Sequence, residues 1–326
     1  MRFTLDEKQQ AIADLAAEVL DDTGPEQAWK ALAGAGLLAL AVPERLGGDG
    51  LGAVEVAVLL GEIGRRALAV PALATLAFGV LPVVRWGSAE QQDEVLSGVA
   101  SGTVLTAAVR EPVSAVSDGT VVRGTAVGVP YAERAHRILV PVDLAGGGSG
   151  VALVDPRRAS VTRTPAAGAM PEYTVSFVDT PVAGMLSPGA DVFRYAVAGT
   201  CALGAGALAG ALALTAAHVG GREQFGRPLA TFQAVAQQIA DVYVAARTVR
   251  LAALAACWGL SDDDLAVAAY WFATEAPVAV RTCHHLHGGL GLDVTYPLHR
   301  YSSLIRDLVR SLGGAEYRLE KLCSST

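Results

Sequence analysis

The sequence contains little charge and very little lysine. Only 17% of its 326 residues are charged, 52% are hydrophobic, and lysine occurs three times, at Lys8, Lys30 and Lys321. The net charge of −7, without a basic cluster, argues against binding to nucleic acid or to an anionic membrane. A chain this apolar usually hides part of its surface in a subunit interface, so we expect an oligomer.

Closely spaced cysteines and long leucine-rich runs are also missing. The four cysteines stand far apart without metal-ligand spacing, which indicates free thiols in a reducing cytoplasm. The most apolar run, 197–218, is rich in Gly and Ala and predicts a buried packing helix, not a membrane span. The first residues lead directly into a helix start at 4–7, so we expect no signal peptide and a cytoplasmic location.

Hydrophobic periodicity divides the chain into three regions. Region 1–108 predicts helices and region 191–326 is helical again, whereas region 109–190 contains short β-rich segments bounded by turns. The predicted helices of the first region are 7–20, 28–40, 51–66 and 89–97, and the clearest strands are 138–142, 151–154 and 173–177. This order predicts a mainly helical α+β fold with a β-domain inserted between two helical halves.

The connector that opens with Arg-Glu-Gln-Phe-Gly-Arg-Pro has unusual chemistry for so apolar a chain. Gly220-Gly221 predicts the end of a long helix, and Pro228 with Thr231 suits the start of the next. From there, one helical face would carry Leu229, Phe232, Val235, Ile239 and Val242. Arg222, Gln224 and Phe225 would project outward from the connector, where a guanidinium beside a helix N-terminus suits a phosphate. Taken alone, the stretch favours a simpler interpretation, a solvated turn whose arginine forms a salt bridge.

The same connector, taken together with other motifs, resembles the acyl-CoA dehydrogenase family. The motifs that carry the resemblance stand in the family's order: Phe3-Thr4-Leu5-Asp6-Glu7-Lys8-Gln9, Val42-Pro43-Glu44-Arg45-Leu46-Gly47-Gly48, Gly87-Ser88-Ala89-Glu90-Gln91-Gln92, Arg110-Glu111-Pro112, Arg222-Glu223-Gln224-Phe225-Gly226, His287-Gly288-Gly289-Leu290-Gly291 and Tyr296-Pro297. The resemblance implies a helical N-terminal domain (1–108), a central β-barrel (109–190) and a C-terminal helical bundle (191–326). It also implies FAD chemistry, in which a carboxylate removes the α-proton of an acyl thioester while the β-hydride moves to the flavin.

The chain departs from the family where a member's own flavin would lie. The family's Gly-Ser-Asp loop after Glu-Pro is replaced by 113–118, and the next motif arrives early, so this loop is expected to be shortened. The following motif normally places a Trp and a Thr against the isoalloxazine. Here Gly128 stands at the aromatic position and Pro130 at the threonine position, and a proline has no backbone N–H to donate.

The catalytic carboxylate of the family is also missing. An ungapped count from Tyr296-Pro297 puts Leu312 at the usual position of the base. A minority of members carry the base before the Arg-x-Gln-Phe motif, and Ala196 stands there. Glu316 would be the base only with a shifted alignment, because in the ungapped count it matches a different family glutamate.

The conserved half of the cofactor site is the half that serves a neighbouring subunit in the family. The resemblance implies that these residues contact a partner's FAD: Arg222, Gln224, Phe225, Leu229, Phe232, Gly288 and Gly289, with His285 in place of the family's glutamine. The neighbouring His284 and His287 suggest a metal, but no matching carboxylate or cysteine set accompanies them, so we expect no metal site.

This combination resembles the small, base-lacking subunit of the α2β2 acyl-CoA dehydrogenases of bacterial steroid side-chain degradation, of the 3-oxopregn-4-ene-20-carboxyl-CoA dehydrogenase type. The short length and one segment carry this likeness: His284-His285-Leu286-His287-Gly288-Gly289, running on to Asp293-Val294-Thr295-Tyr296-Pro297. It implies a catalytic partner subunit, a steroid acyl-CoA substrate, FAD at the mixed interface and an electron-transfer flavoprotein as electron acceptor. Two alternatives remain at this point: a homomeric dehydrogenase that uses Glu316, and a non-enzymatic scaffold subunit without flavin contact.

Overall fold

The N-terminal third is a packed set of helices. The computed structural model describes residues 4–21, 23–110, 113–166 and 168–324. The helices are α1 (Glu7–Val19), α2 (Pro25–Gly34), α3 (Ala53–Arg65), a π-helical segment (Leu73–Val80) that continues into α4 (Leu81–Trp86), and α5 (Ala89–Leu96). Asp6 caps α1 by accepting the Gln9 backbone N–H, while the Gln9 side chain accepts the Asp6 N–H, which fixes the helix start that the sequence predicts.

The middle of the chain forms a closed β-barrel. The strands are β1 (Val104–Ala107), β2 (Ser114–Ser117), β3 (Val121–Pro130), β4 (Ala135–Leu144), β5 (Ser149–Val154), β6 (Ser160–Thr164) and β7 (Glu172–Met185). Pairing runs β4–β2–β3–β7–β5 and returns to β4, which closes the ring, while β1 joins β4 and β6 joins β7 outside it. The strands predicted at 138–142, 151–154 and 173–177 lie within β4, β5 and β7 and are confirmed.

The C-terminal part is a helical bundle built around one long apolar helix. Its elements are α6 (Val192–Gly221), the short strands β8 (Glu223–Gln224) and β9 (Arg227–Pro228), α7 (Gln233–Gly259), α8 (Asp262–His287), α9 (Leu298–Ser311) and α10 (Gly314–Ser324). By length and composition α6 could cross a membrane, and 72% of its most apolar window is buried within the protein. It packs against α3, α7, α8 and α9, so the predicted packing helix is confirmed.

Small residues allow α3 and α6 to approach backbone to backbone. A Cβ added at Gly206 would lie 2.0 Å from the carbonyl oxygen of Gly61, and one at Gly64 would lie 2.1 Å from that of Leu203. No side chain fits at such distances, which explains why the run 197–218 uses Gly and Ala. The contact joins the N-terminal helices to the bundle in one core.

Two predicted helix limits were wrong. The helix expected over 28–40 ends at Gly34, because Gly36 adopts a left-handed φ of 77° and a short 3-10 turn, Leu37–Ala39, follows. The helix expected to begin at Pro228 begins at Gln233, because the Leu229 N–H donates to the carbonyl of Arg222 and closes a hairpin. The α+β architecture is confirmed, whereas the domain limits at 108 and 190 stay predictions.

Candidate functional site

A tight hairpin carries the connector out of the bundle. β8 and β9 pair antiparallel, and the two residues between them, Phe225 and Gly226, have left-handed φ angles of 53° and 76°. A two-residue turn of this kind matches the twist of its strands and strongly favours glycine, so a phenylalanine here is strained. The result is a phenylalanine side chain that is 93% exposed at the tip.

Stacked side chains hold the hairpin against the start of α7. The Phe225 and Phe232 rings meet edge to face with centroids 6.2 Å apart, and the Arg227 guanidinium lies 4.1 Å from the Phe232 ring centroid. Leu229 and Phe232 are half-buried in the turn before α7 and do not lie on its helical face, which corrects their predicted placement.

The charged and polar groups of the hairpin face outward. Arg222 and Gln224 are exposed, and the Gln224 side-chain amide donates to the neighbouring Glu223 carbonyl. The turn is solvated, as the simpler interpretation predicted, but within the described part of the chain no carboxylate forms the predicted ion pair with Arg222. The first backbone N–H groups of α7 have no side-chain cap, which leaves a helix N-terminus suited to an anion.

The glycine pair lies at the end of α8. Gly288 has a φ of 57° and a ψ of −136°, a backbone conformation that favours glycine. A Cβ at Gly288 or Gly289 would meet no atom within 4 Å, and His285 on the preceding turn is exposed. The ring of His287 stacks on that of His218, near the end of α6, with centroids 4.4 Å apart. This stack brings the glycine pair beside the helix end from which the hairpin leaves.

A separate, inner cluster of charged side chains, Arg110, Glu172 and Arg310, lies beside Gly128. A Cβ at Gly128 would lie only 2.8 Å from the Cδ of Arg110, which is too close, and would contact Glu172 at 3.5 Å. Pro130, at the end of the same strand, pairs with Glu172 in the sheet. The space where the resemblance implies a tryptophan therefore contains an arginine and a carboxylate.

Arg310 of α9 completes this inner cluster. Its guanidinium donates two hydrogen bonds to Glu172, of 3.1 and 2.8 Å, and a third, of 3.1 Å, to the buried Asp307. Arg110 lies 3.9 Å from the same Glu172 carboxylate. Partial burial lowers the pKa of Arg310, but the hydrogen bonds and charge of Glu172, with those of Asp307, raise it by more. The Arg310 guanidinium therefore stays charged, and its three hydrogen bonds fix its position.

The candidate bases do not supply a carboxylate to this locus. Leu312 is buried and lines a cavity of about 620 Å³ together with Arg110 and Arg310. Ala196 is buried in α6. Glu316 is exposed in the first turn of α10 and is not among the described residues that line the cavity. Neither leucine nor alanine can accept a proton, and the described residues that line the cavity include no carboxylate that could start the reaction.

The two loci differ in how well they fit a flavin dinucleotide. The outer locus offers an exposed arginine, an uncapped helix N-terminus, a glycine pair that permits close backbone approach, and exposed apolar side chains. The inner locus does not fit an isoalloxazine ring, because Arg110 and Glu172 lie against Gly128. Sequence reasoning missed Glu172, Asp307 and Arg310, since no local pattern links residues so far apart. Glu111 and Pro112 of the predicted Arg-Glu-Pro motif lie outside the described residues.

Comparison with known proteins supports the family assignment along the whole chain. Residues 6–103 match the N-terminal domain of acyl-CoA dehydrogenases, and residues 191–316 match the C-terminal domain. The chain is 47% identical to the acyl-CoA dehydrogenase FadE28 of Mycobacterium tuberculosis over the full length of both proteins.

Solved structures with the same architecture include two steroid-related complexes. One is the Tcur3481–Tcur3483 steroid ACAD G363A variant, with a TM-score of 0.92 and 34% identity over 98% of both chains. Another is the ChsE4–ChsE5 complex of Mycobacterium tuberculosis, with a TM-score of 0.91, 30% identity, and coverage of 99% of this chain and 98% of that one. The structure of PigA with FAD and proline, at 22% identity, shares the fold. By its sequence and its fold, the chain belongs to the acyl-CoA dehydrogenase family of oxidoreductases.

Proposed function

We propose that this chain is the non-base-bearing subunit of an FAD-dependent, heterotetrameric α2β2 acyl-CoA dehydrogenase. It would complete the flavin site of a catalytic partner, which introduces an α,β double bond into a CoA thioester. The observation that carries the proposal is the contrast between the two loci. The outer hairpin exposes 93% of Phe225, whereas the inner cavity holds an ion-pair cluster and Leu312 in place of a base.

The outer residues would each serve the partner's cofactor in a distinct way. Arg222 would bind the pyrophosphate, because both its guanidinium group and the neighbouring N-terminus of α7 favour phosphate. Phe225, Leu229 and Phe232 would form an apolar wall. The pair Gly288–Gly289, with exposed His285 beside it, would permit close backbone approach. FAD, when bound, would accept the hydride that leaves the β-carbon.

A partner is required because the proton must leave the α-carbon to a carboxylate. Among the residues that the structure describes, neither Leu312 nor Ala196 offers one, and Glu316 is exposed away from the cavity lining. We therefore propose that the base and most of the acyl-CoA pocket belong to the partner chain, with an electron-transfer flavoprotein as electron acceptor and a cytoplasmic location.

A steroid side chain is the proposed acyl group. The likeness to the Tcur3481–Tcur3483 steroid ACAD supports this assignment, as does the likeness to a complex of two different chains, ChsE4 and ChsE5. A pocket formed at a mixed interface, with one flavin for two chains, also leaves room for a bulky ring system.

Co-expression with a longer acyl-CoA dehydrogenase that has an intact base is the direct test. The complex is expected to be yellow, to contain one FAD per pair of chains and to oxidise a steroid acyl-CoA, whereas the lone chain is expected to be colourless. A yellow homotetramer of this chain that oxidises acyl-CoA would contradict the proposal and favour a homomeric enzyme based on Glu316.

Arg222→Ala in the complex separates the proposed role from that of a scaffold. Loss of the guanidinium is expected to raise the FAD dissociation constant by about 10- to 100-fold, since a charge-assisted contact contributes roughly 1.5–3 kcal/mol. Arg158→Ala, an exposed arginine on the barrel, is the matched control and should leave FAD affinity unchanged. Equal retention of FAD in both variants would support a scaffold subunit without flavin contact.

A further inference from the structure

A pair of stacked imidazoles joins the two segments of the outer locus. His218 lies in the last turn of α6, and its carbonyl accepts the backbone N–H of Arg222 at 2.8 Å. His287 is the last residue of α8 and precedes Gly288. Their ring planes are 17° apart with centroids separated by 4.4 Å. The stack therefore ties the helix end that carries Arg222 to the helix end that carries the glycine pair.

Hydrogen bonds specify the tautomer of the neutral His287 ring. Its Nδ1 lies 2.8 Å from the carbonyl oxygen of Cys283, so this nitrogen must carry the hydrogen and donate. Its Nε2 lies 3.1 Å from the hydroxyl of Tyr296, and in the neutral ring it accepts that O–H. The side chain is only 5% exposed, so a positive charge on this ring would be poorly solvated.

Burial and the neighbouring cationic groups disfavour protonation of the pair. Burial lowers the pKa of His218, and the nearby charge of Arg222 lowers it further. Burial also lowers the pKa of His287; the backbone hydrogen bond at Cys283 opposes this, and the positive charges of His218 and His284 add to it. From the segment after α8, Tyr296 contributes a hydroxyl whose own pKa is raised by burial. Protonation of both rings would put two cations in stacking contact.

We propose that the His218–His287 pair, when both rings are neutral, positions the cofactor-contacting hairpin. Protonation of the pair would then release FAD from the shared site. The inference rests on the proposed function, since it assumes that Arg222 and Gly288–Gly289 contact the partner's flavin. His218 and His287 are positioning residues that act through Arg222 and the glycine pair. The binding of FAD is thereby linked to pH.

The test is the affinity of the purified heteromeric complex for FAD, measured by flavin fluorescence from about pH 8 to about pH 5.5, the range in which imidazoles titrate. FAD affinity of the parent complex should fall on the acid side by up to roughly tenfold per pH unit. His218→Phe keeps an aromatic stack but cannot titrate, so its pH profile should be shallower. His218→Ala loses the stack and should bind FAD more weakly at every pH.

His136→Gln is the matched control, because His136 lies on β4 of the barrel and its pKa is likewise lowered by burial. It should follow the parent profile. Parallel profiles for the parent and His218→Phe would overturn the proposal, and His218→Gln repeats the comparison if the phenylalanine variant does not fold. Failure of the proposed function has a different signature: Arg222→Ala would then retain FAD fully at pH 8, whatever the histidine variants do.

Discussion

Glu172 is the residue on which the inner cluster depends. Its carboxylate accepts two hydrogen bonds from Arg310 and faces Arg110, while its side chain is only 10% exposed. A buried carboxylate of this kind contributes little net stability as part of a pair, but its removal leaves charge without a partner. The same residue lies beside Gly128, so one side chain both links the barrel to the bundle and takes up space at the inner locus.

Glu172→Gln should lower the free energy of unfolding of the chain by about 2 kcal/mol. The change keeps the shape but removes the charge that neutralises two guanidinium groups, and both are about one-third exposed, which limits the loss. Asp179→Asn breaks the exposed pair with Arg123 and should cost no more than about 0.5 kcal/mol. Urea unfolding of the parent chain and of the two variants measures these free energies. Equal destabilisation by Glu172→Gln and Asp179→Asn would contradict the special role of Glu172.

Three buried or half-buried imidazoles predict how the stability of the chain changes with pH. The pKa values of His218, His287 and His136 are all lowered by burial from a reference of 6.5. The unfolded chain therefore binds more protons than the folded chain as pH falls through 6.5 toward the folded values, and stability is lost over that interval. The midpoint of urea unfolding should thus be lower at about pH 5.5 than at about pH 7.5. A midpoint that rises on acidification would contradict the assignment of neutral rings.

At the scale of elements, the hairpin between α6 and α7 contains a strained residue. Phe225 has a left-handed φ of 53° and a ring that is 93% exposed, so neither backbone preference nor burial in this chain explains it. Such a side chain is expected where another molecule covers it.

Phe225→Asn should therefore have opposite effects on the lone chain and on the complex. Asparagine tolerates a left-handed backbone, so the lone chain should gain up to about 1 kcal/mol of stability, less the Phe232 contact. The complex should retain less FAD because the apolar wall is lost. Thermal unfolding of the chain and the flavin content of the complex provide the two readouts. Changes of the same sign would argue against a functional origin of the strain.

The long helix α6 offers a matched pair of glycine substitutions. Gly206→Ala would put a methyl group 2.0 Å from the carbonyl of Gly61, so α3 and α6 must separate, at a cost of about 2 kcal/mol or more. Gly220→Ala lies in the same helix with open space around its Cβ position and should stabilise the chain by about 0.5–1 kcal/mol. Thermal unfolding measures both, and destabilisation by both variants would contradict the packing argument.

The elements with a clear local pattern of period or composition were the ones that sequence predicted best. The helices near 7–20, 51–66 and 89–97 follow from helical period, the strands within β4, β5 and β7 from short β-rich segments, and the long helix α6 from its Gly and Ala content. The segment Leu73–Trp86 was missed because its residues from 73 to 83 are all buried, which leaves no polar face to produce a period. Barrel closure and the end of α2 depend on long-range pairing and on one left-handed glycine, which periodicity does not encode.

At the scale of the whole molecule, the outer and inner loci differ in the chemical groups that their described residues offer. The sequence singled out residues of both, Gly128 and Leu312 at the inner locus and Arg222 to Phe232 at the outer one. It could not predict the charge cluster of the inner locus, because the hydrogen bonds from Arg310 to Glu172 span 138 positions. Arg110, Glu172 and Arg310 come from distant parts of the chain and meet only after folding.

Restoring the missing base alone should therefore not restore a second active site. In Leu312→Glu the new carboxylate would face the inner cavity, where it meets the arginines that pair with Glu172 rather than an isoalloxazine. The lone variant should remain free of flavin and inactive, and its complex should still contain one FAD per pair of chains. Flavin absorbance per chain measures this against the parent complex. Uptake of a second FAD would show that the missing base, and not the Arg110–Glu172–Arg310 cluster, prevents the inner cavity from binding FAD.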